Sequence, residues 1–390
     1  MQHPERASIV AMGLVCALGD GCGEAFDALV RGEVRASAPP FALPFETVTG
    51  TVGGLLEPLP PALREWDTRL ARIALRALPQ VSQAVERLRQ RFGAERVAVL
   101  VGTSTGGLDA TEPAYRHYRA TEQRAPTFSL RRAHAFDALA NLLRDRLGLR
   151  GPCYAVSTAC TSSAKALASA QRLIATGAVD AALVVGADAL CETTVRGFHG
   201  LGVLARGPAR PFSSERTGIH IGEGAALLVL ARDSEGPVQL AAVGESSDAH
   251  SMSAPQPEGL GAGNAMVRAL AHAGLDASQV DYVNAHGTGT QQNDVAESRA
   301  LRRVLGPHTP VGSSKGATGH TLGACGAIEA IFCAQAIIRG ELPPSTGALP
   351  LDRELGVNVL RAPERKPVRV TLSNALAFGG SNASVLLIAS

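Results

Sequence analysis

A cysteine stands in the middle of a stretch of small residues, Ala155-Val156-Ser157-Thr158-Ala159-Cys160-Thr161-Ser162-Ser163-Ala164. Tyr154 to Val156 favours an extended strand, whereas Lys165 to Ala175 is rich in Ala and Leu and stops at Thr176-Gly177, a helix end. Cys160 is therefore expected at or just before a helix N-terminus, where unpaired backbone N–H groups and the helix dipole favour a thiolate over a thiol. Such a thiolate could accept an acyl group as a thioester. A cysteine is most often just a small buried hydrophobe, so other residues must supply a base, an oxyanion site and a channel. Three later segments have the same shape, a strand end turning through glycines toward a helix or a further strand. They are Val283 to Thr290 with Asp294 beyond, Val311 to His320 leading into Leu322–Ile338, and Ser373 to Asn382 before a terminal strand, Ala383–Ile388. Alone, either His286 or His320 reads as an ordinary hydrogen-bonded residue. Two histidines, Lys315 and Cys160, all at glycine-rich or small-residue strand ends, make a set.

These turns need elements to hold them. Ala7–Val15 reads as a first strand, Glu24–Val30 as a helix, and the Pro/Gly-rich Arg31–Leu59 as loop. Asp67-Thr68 opens a helix with Leu70, Ile73, Ala74, Ala77 and Leu78 on one face and Arg69, Arg72 and Arg76 on another. That arginine face is either solvated surface or a docking site for an acidic partner. Val97–Val101 is a buried-type strand ending in Gly102-Thr103-Ser104-Thr105-Gly106-Gly107, which lacks the spacing of a dinucleotide fingerprint and reads as a tight turn or a pocket wall. Helical segments surround Tyr115 and run from Phe136 to Leu147. Strands are expected at Ala181–Gly186 and Ala226–Leu230, with a long loop between them to Ile221. After Ser234-Glu235-Gly236-Pro237 the rhythm restarts with a β-run (Val238–Val243), a helix (Ala262–Ala273) and a strand (Asp281–Asn284). The reading is two α/β halves, residues 1–235 and 236–390, with an internal duplication that identities alone do not demonstrate.

The chain as a whole excludes several classes. Its 390 residues are 45% hydrophobic, with Lys+Arg 37 against Asp+Glu 35, so a large core is affordable and no global field points to nucleic acid or an anionic membrane. No apolar run is expected to span a bilayer, and Met1 to Ala7 lacks the features of a secretory signal, so the expected location is the cytoplasm. Seven cysteines without a CxxC pair are expected to be reduced thiols. Metal binding is not expected, because neither His286 nor His320 has a carboxylate or thiol nearby at ligand spacing.

The segments VSTACTSSA, NAHGTGT, SSKGATGHTLGACGAIEA and NALAFGGSNAS resemble, in order and spacing, the signatures of the β-ketoacyl-acyl-carrier-protein synthases, the ketosynthases of fatty acid and polyketide assembly. The resemblance runs from about Ile9 to the C-terminus. It implies a thiolase-like fold of two related halves in α-β-α-β-α layers, a homodimer or a heterodimer with a second ketosynthase-like subunit, and decarboxylative Claisen condensation with malonyl-carrier protein. It further implies Cys160 as nucleophile, His286 and His320 as donors to the malonyl thioester carbonyl, and Lys315 as support for them, paired with a buried Glu329. Backbone N–H groups of Cys160 and Phe378 would form the oxyanion hole, Phe378 would gate, and Thr288 and Thr290 would hold phosphopantetheine. No free cofactor is implied, since that arm arrives on the carrier protein. Arg64, Arg69, Arg72, Arg206 and Arg210 are the candidates for docking the acidic carrier.

Two departures from the family pattern bear on substrate. Thr105 stands where many members carry a bulky aliphatic residue, implying a deeper or more polar acyl pocket, and Gly218-Ile219-His220-Ile221 precedes Glu223. With GHTLGA and AFGGSNAS these look similar to ketosynthases of aryl-polyene and polyketide-lipid assembly. A thiolase would carry a second cysteine where this chain has AFGGSN, and a plant-type synthase would pair its cysteine with histidine and asparagine. The silent chain-length partner of a ketosynthase heterodimer usually lacks the cysteine, which this chain keeps. A cysteine hydrolase would leave the second histidine and Lys315 unexplained.

Overall fold

The computed structural model describes residues 7–232 and 235–390; the charged N-terminal residues 1–6, and Ser234 at the expected boundary, lie outside it. In the first half, β1 (Ala7–Cys16), β2 (Val97–Gly102), β3 (Cys153–Val156), β4 (Ala181–Asp188) and β5 (Gly224–Ala231) lie in the order β1-β5-β4-β2-β3. β5 is antiparallel to β1 and β4, and β2 is parallel to β4 and β3. In the second half, β6 (Val238–Ser247), β7 (Tyr282–Asn284), β8 (Pro310–Gly312), β9 (Val370–Leu376) and β10 (Ser381–Ala389) lie in the order β6-β10-β9-β7-β8 with the same directions. The duplication that identities did not reveal is therefore present strand by strand. Antiparallel pairing of Ala7–Ile9 with Val238–Leu240 joins the two halves into one sheet.

The helices are α1 (Cys22–Val30), α2 (Arg69–Ala77), α3 (Pro79–Phe92), α4 (Leu108–Thr121), α5 (Ala138–Leu147), α6 (Ser162–Ala175), α7 (Glu192–Gly200), α8 (Leu260–Ala273), α9 (Gln291–Leu305), α10 (Lys315–Thr318) and α11 (Cys325–Arg339). Alternate strand residues face opposite ways, as the two-residue period of a strand requires. Val97, Val99, Leu183, Val185 and Val229 pack with α2, α3 and α5 on one outer face, whereas Ala98, Leu100, Val184 and Leu228 pack with α6 and α11 inside. Val283, Val311, Leu372 and Leu386 pack with α8 and α9 on the other outer face. The result is the α-β-α-β-α layering, with α6 and α11 as the central layer.

α11 is apolar all round because it is covered all round, every residue from Cys325 to Ile337 being buried. The turn before it extends this run to Leu322–Arg339, with a mean hydropathy of 1.5; contrary to expectation it is apolar enough to cross a membrane, yet 89% of it is buried inside the protein. Small residues let the two central helices touch. A Cβ at Gly326 would lie 2.8 Å from Ala164 N and 2.9 Å from Ala164 Cβ. The segment expected as a long loop before Ile221 contains α7; its single buried side chain, Val195, gives little periodic signal.

Candidate active site

The turns that follow β2, β3, β7 and β8 all leave the carboxyl ends of parallel strands, where open α/β sheets place their ligands. After β3 the chain reverses at Ala159, which adopts φ 53, a left-handed conformation that strains a residue with a Cβ. Side chains lock this elbow: Ser162 Oγ accepts from Thr158 N (2.9 Å) and donates to Ala159 O (2.6 Å), while Thr161 Oγ1 donates to Thr158 O (2.7 Å). Cys160 is buried at the turn, two residues before α6 begins. Its Sγ lies 3.0 Å from His320 Nε2.

His320 is held on both edges. Its backbone N–H donates to His220 O (2.8 Å), and its Nδ1 accepts from Leu322 N (3.3 Å). Because Nδ1 accepts, the proton of the neutral ring sits on Nε2, pointing at the sulfur. His286 follows β7; its backbone N–H and that of Gly287 donate to the buried Glu297 carboxylate at 2.8 Å each. The two imidazoles meet edge to face at 5.2 Å and 81°, and one ring nitrogen from each lies with the sulfur in a group spanning at most 4.8 Å. A ligating histidine offers a lone pair while its other N–H donates outward. His320 Nε2 offers a proton instead, although the three side chains, which the sequence spacing had not shown to be neighbours, do lie close enough together to share a metal ion.

Burial governs the charges. It lowers both histidines well below their ordinary range, and the nearby Lys315 ammonium lowers them further. It also pushes the Cys160 thiol up to about 12, against the pull of Lys315. Burial therefore runs against the thiolate expected at the helix N-terminus and favours a neutral thiol between neutral imidazoles. Lys315 Nζ bonds Glu329 Oε1 at 2.5 Å, with side chains 1% and 2% exposed. Burial alone would strip the lysine of its proton, but Glu329, with Cys325 and Glu297, holds the ammonium in place. Burial raises Glu329 to about 7 even so.

A cavity of about 430 Å³ leads to Cys160, His286 and His320. Thr288 and Thr290 line it, their hydroxyls 3.0 Å apart, so their placement suits the arm they were expected to hold. Phe378, 37% exposed, also lines it and packs on Phe198 of α7 at 5.8 Å. The turn carrying Phe378 is tied to the segment after β6: Gly379 N donates to Met252 O and Asp248 N to Gly380 O, both at 2.8 Å. The sequence reading missed Phe198, Leu201, Val203 and Ile219 as the apolar wall, because it had no helix there. It also missed Asp248 and Glu297, whose only signal was an acidic residue near a glycine turn.

Other expected residues sit elsewhere. Thr105 does not line this cavity; its Oγ1 donates to Asp188 at 2.6 Å. Arg69 is turned inward, its Nε donating to the fully buried Glu223 at 2.7 Å. Arg72 spends both ends of its guanidinium on Asp67, and Arg210 pairs with Glu215. Arg64 and Arg206 are exposed.

Fold and site define a thiolase-like protein with a cysteine and two histidines gathered at the foot of a cavity. Residues 5–236 match the family model for the β-ketoacyl synthase N-terminal domain and residues 238–348 the model for its C-terminal domain, and the chain belongs to this family. It is similar to nodulation protein E of Rhizobium meliloti, 36% identical over 97% of this chain and 98% of the relative. It is also similar to 3-oxoacyl-[acyl-carrier-protein] synthase 2 of Mycobacterium bovis, 32% identical over 90% and 89%. Among solved structures it resembles a chain of the complex of the ketosynthase ApeO with its chain length factor ApeC from Xenorhabdus doucetiae, at 36% identity, TM-score 0.91 and full coverage of both chains. The chain is a β-ketoacyl-acyl-carrier-protein synthase, an acyltransferase.

Proposed function

We propose that Cys160, His286 and His320 carry the decarboxylative condensation in two steps. In the first, Cys160 Sγ attacks an acyl thioester delivered on a carrier protein; the new C–S bond forms as the old one breaks, and the cysteine proton leaves with the pantetheine thiol. In the second, malonyl-carrier protein loses carbon dioxide. Its thioester oxygen gains negative charge, which the two imidazole N–H groups stabilise, and the resulting carbanion attacks the Cys160 thioester. The β-ketoacyl product stays on the carrier and Cys160 departs as a thiolate, facing His320 Nε2–H. Neutral histidines suit this work, since they donate without themselves needing to lose charge. The observation that carries this reading is the convergence of both uncharged rings on Sγ within 4.8 Å at the foot of the cavity.

Thr288 and Thr290 then hold the phosphopantetheine arm, Phe378 gates, and no free cofactor takes part. α4 buries none of its side chains and exposes Tyr115 and Tyr118 at 58% and 52%. We assign that face to a companion subunit, either a second copy or a chain length factor of the kind that accompanies ApeO. On the motif departures and the Phe198–Phe378 wall we place the acyl substrate in the aryl-polyene or polyketide-lipid class, handled in the cytoplasm. The test is intact mass spectrometry of the protein, alone and with a co-expressed companion, after incubation with acyl-carrier proteins and then malonyl-carrier protein. An acyl adduct on Cys160 that disappears as β-ketoacyl product forms supports the reading; a protein that never acylates under either condition overturns it.

A further inference from the structure

The sharpest unexplained feature is a buried carboxylate with no salt-bridge partner among the described residues. Asp188, at the end of β4, is fully buried. It accepts from Thr103 Oγ1 (2.7 Å), Ser104 N and Oγ (3.0 Å each), Thr105 N (2.8 Å), Thr105 Oγ1 (2.6 Å) and Gly323 N (2.6 Å). Five of these six donors come from the turn after β2; burial raises the Asp188 carboxyl above its ordinary range, and the hydrogen bonds from Thr105, Thr103 and Ser104 pull against that rise. The sixth comes from the other half of the protein, three residues beyond His320.

That sixth bond lands on a strained turn. Leu322 adopts φ 54, a left-handed conformation that a residue with a Cβ holds only when its surroundings enforce it. In this conformation the Leu322 N–H meets His320 Nδ1. The next residue has to be glycine for the carboxylate to come close. A Cβ at Gly323 would lie 2.6 Å from Ser104 N and 2.8 Å from Asp188 Oδ2. We propose that Asp188 is a positioning residue for His320: by anchoring Gly323 it fixes the Leu322 turn, which in turn keeps the His320 proton on Nε2, facing the nucleophile. Asp188 does not touch the reacting atoms. It acts across the two halves, using the turn after β2 as a clamp.

An Asp188→Asn variant replaces one acceptor oxygen with a donor among six donors and so releases the clamp. The direct readout is the ring nitrogen NMR of ¹⁵N-histidine-labelled protein, with His320 assigned by comparison with His320→Ala. The wild type is expected to show Nε2 protonated, and Asp188→Asn a mixture of tautomers. This arm is independent of activity and stands even if the ketosynthase reading of the site fails. A second arm rests on that reading: in a Cys160→Gln background, where only decarboxylation can proceed, Asp188→Asn should slow malonyl-carrier protein decarboxylation by more than about tenfold, as expected of a wrong tautomer. Gly323→Ala, which pushes the same turn away from the carboxylate, should reproduce both effects. An Nδ1-protonated or charged His320 in the wild type overturns the proposal even if neither variant folds, and so does an unchanged Nε2 tautomer in a folded Asp188→Asn protein.

Discussion

The Lys315–Glu329 pair offers a prediction in which stability and activity part company. Both side chains are at most 2% exposed; among the described residues Glu329 Oε2 has no partner, and the one further bond to the carboxylate is a long one from Ser314 Oγ at 3.4 Å. Replacing Lys315 with Met strands a carboxylate in the central layer, and removing one partner of such a pair costs about 3–5 kcal/mol. The cost depends on pH. Glu329 in the folded protein is raised from 4.5 to about 7 by burial, so the stability its carboxyl contributes is present below pH 4.5 and lost as pH rises to about 7. Lys315 is what holds that value down. Without it the folded-state value moves higher and the loss continues at more alkaline pH. The deficit of Lys315→Met relative to wild type should therefore be full at about pH 9 and shrink toward about pH 5, where the carboxyl is protonated in both proteins. Urea unfolding followed by circular dichroism at the two pH values measures it. The double variant Lys315→Met/Glu329→Leu removes both charges and should return to within about 1 kcal/mol of wild type, because two apolar groups of similar volume need no desolvation. It should not regain decarboxylation, since the ammonium that acts on Cys160 and both histidines is gone. A single variant within about 1 kcal/mol of wild type at about pH 9, or a double variant as unstable as the single, refutes the buried ion pair.

Three further outcomes follow from the same geometry. Cys160→Ser or Cys160→Ala should abolish condensation with the fold retained, whereas Cys160→Gln, which imitates the acylated state, should still decarboxylate malonyl-carrier protein; product assays on the three variants distinguish them. His286→Ala and His320→Ala should each lose decarboxylation by a factor on the order of 10²–10³, the scale of one oxyanion donor, with Cys160 acylation largely spared. Normal decarboxylation in both would sink the mechanism. In the free enzyme the Cys160 thiol, raised from 9.0 to about 12, should react with iodoacetamide at a rate still climbing at alkaline pH; a plateau with a midpoint near neutrality would show that burial does not control the thiol.

What was legible in the sequence was whatever short-range chemistry writes there. Small residues and glycines at strand ends marked the turns of Cys160, His286, Lys315–His320 and Phe378, because close packing and sharp reversal need them. Thr68 before an apolar stripe marked α2, and the side chain does cap it, accepting from Ala71 N at 2.9 Å. What could not be read is who meets whom across the chain. The period of α2 puts Arg69 on its polar face, but its partner is Glu223, 154 residues away. Thr105 faces Asp188, 83 residues on, and a carboxylate surrounded by hydroxyls and amides leaves no pattern in its own neighbourhood. The charge state of Cys160 is hard to read for a related reason: a helix N-terminus is a local feature, whereas the burial that pushes the thiol up belongs to the folded site.

The duplication explains why the site lies at the seam. In each half the third strand delivers its turn to a central helix, β3 through Cys160 to α6 and β8 through Lys315 and His320 to α11. Those two helix starts are fastened together: Ala327 N donates to Ser163 Oγ at 2.9 Å, Cys325 Sγ bonds Cys160 O at 3.2 Å, and Gly326 lies on Ala164. Nucleophile and histidine are therefore brought within 3.0 Å by the packing of the central layer rather than by either half alone. The second strand of each half has taken a different course. After β7 the turn carries His286, its backbone pinned by Glu297; after β2 the equivalent turn carries Thr103 to Thr105, pinned by Asp188. Both are turns gathered on a buried carboxylate. One presents the His286 imidazole to the reaction, and the other, having no ring to present, is left free to brace the turn beside His320.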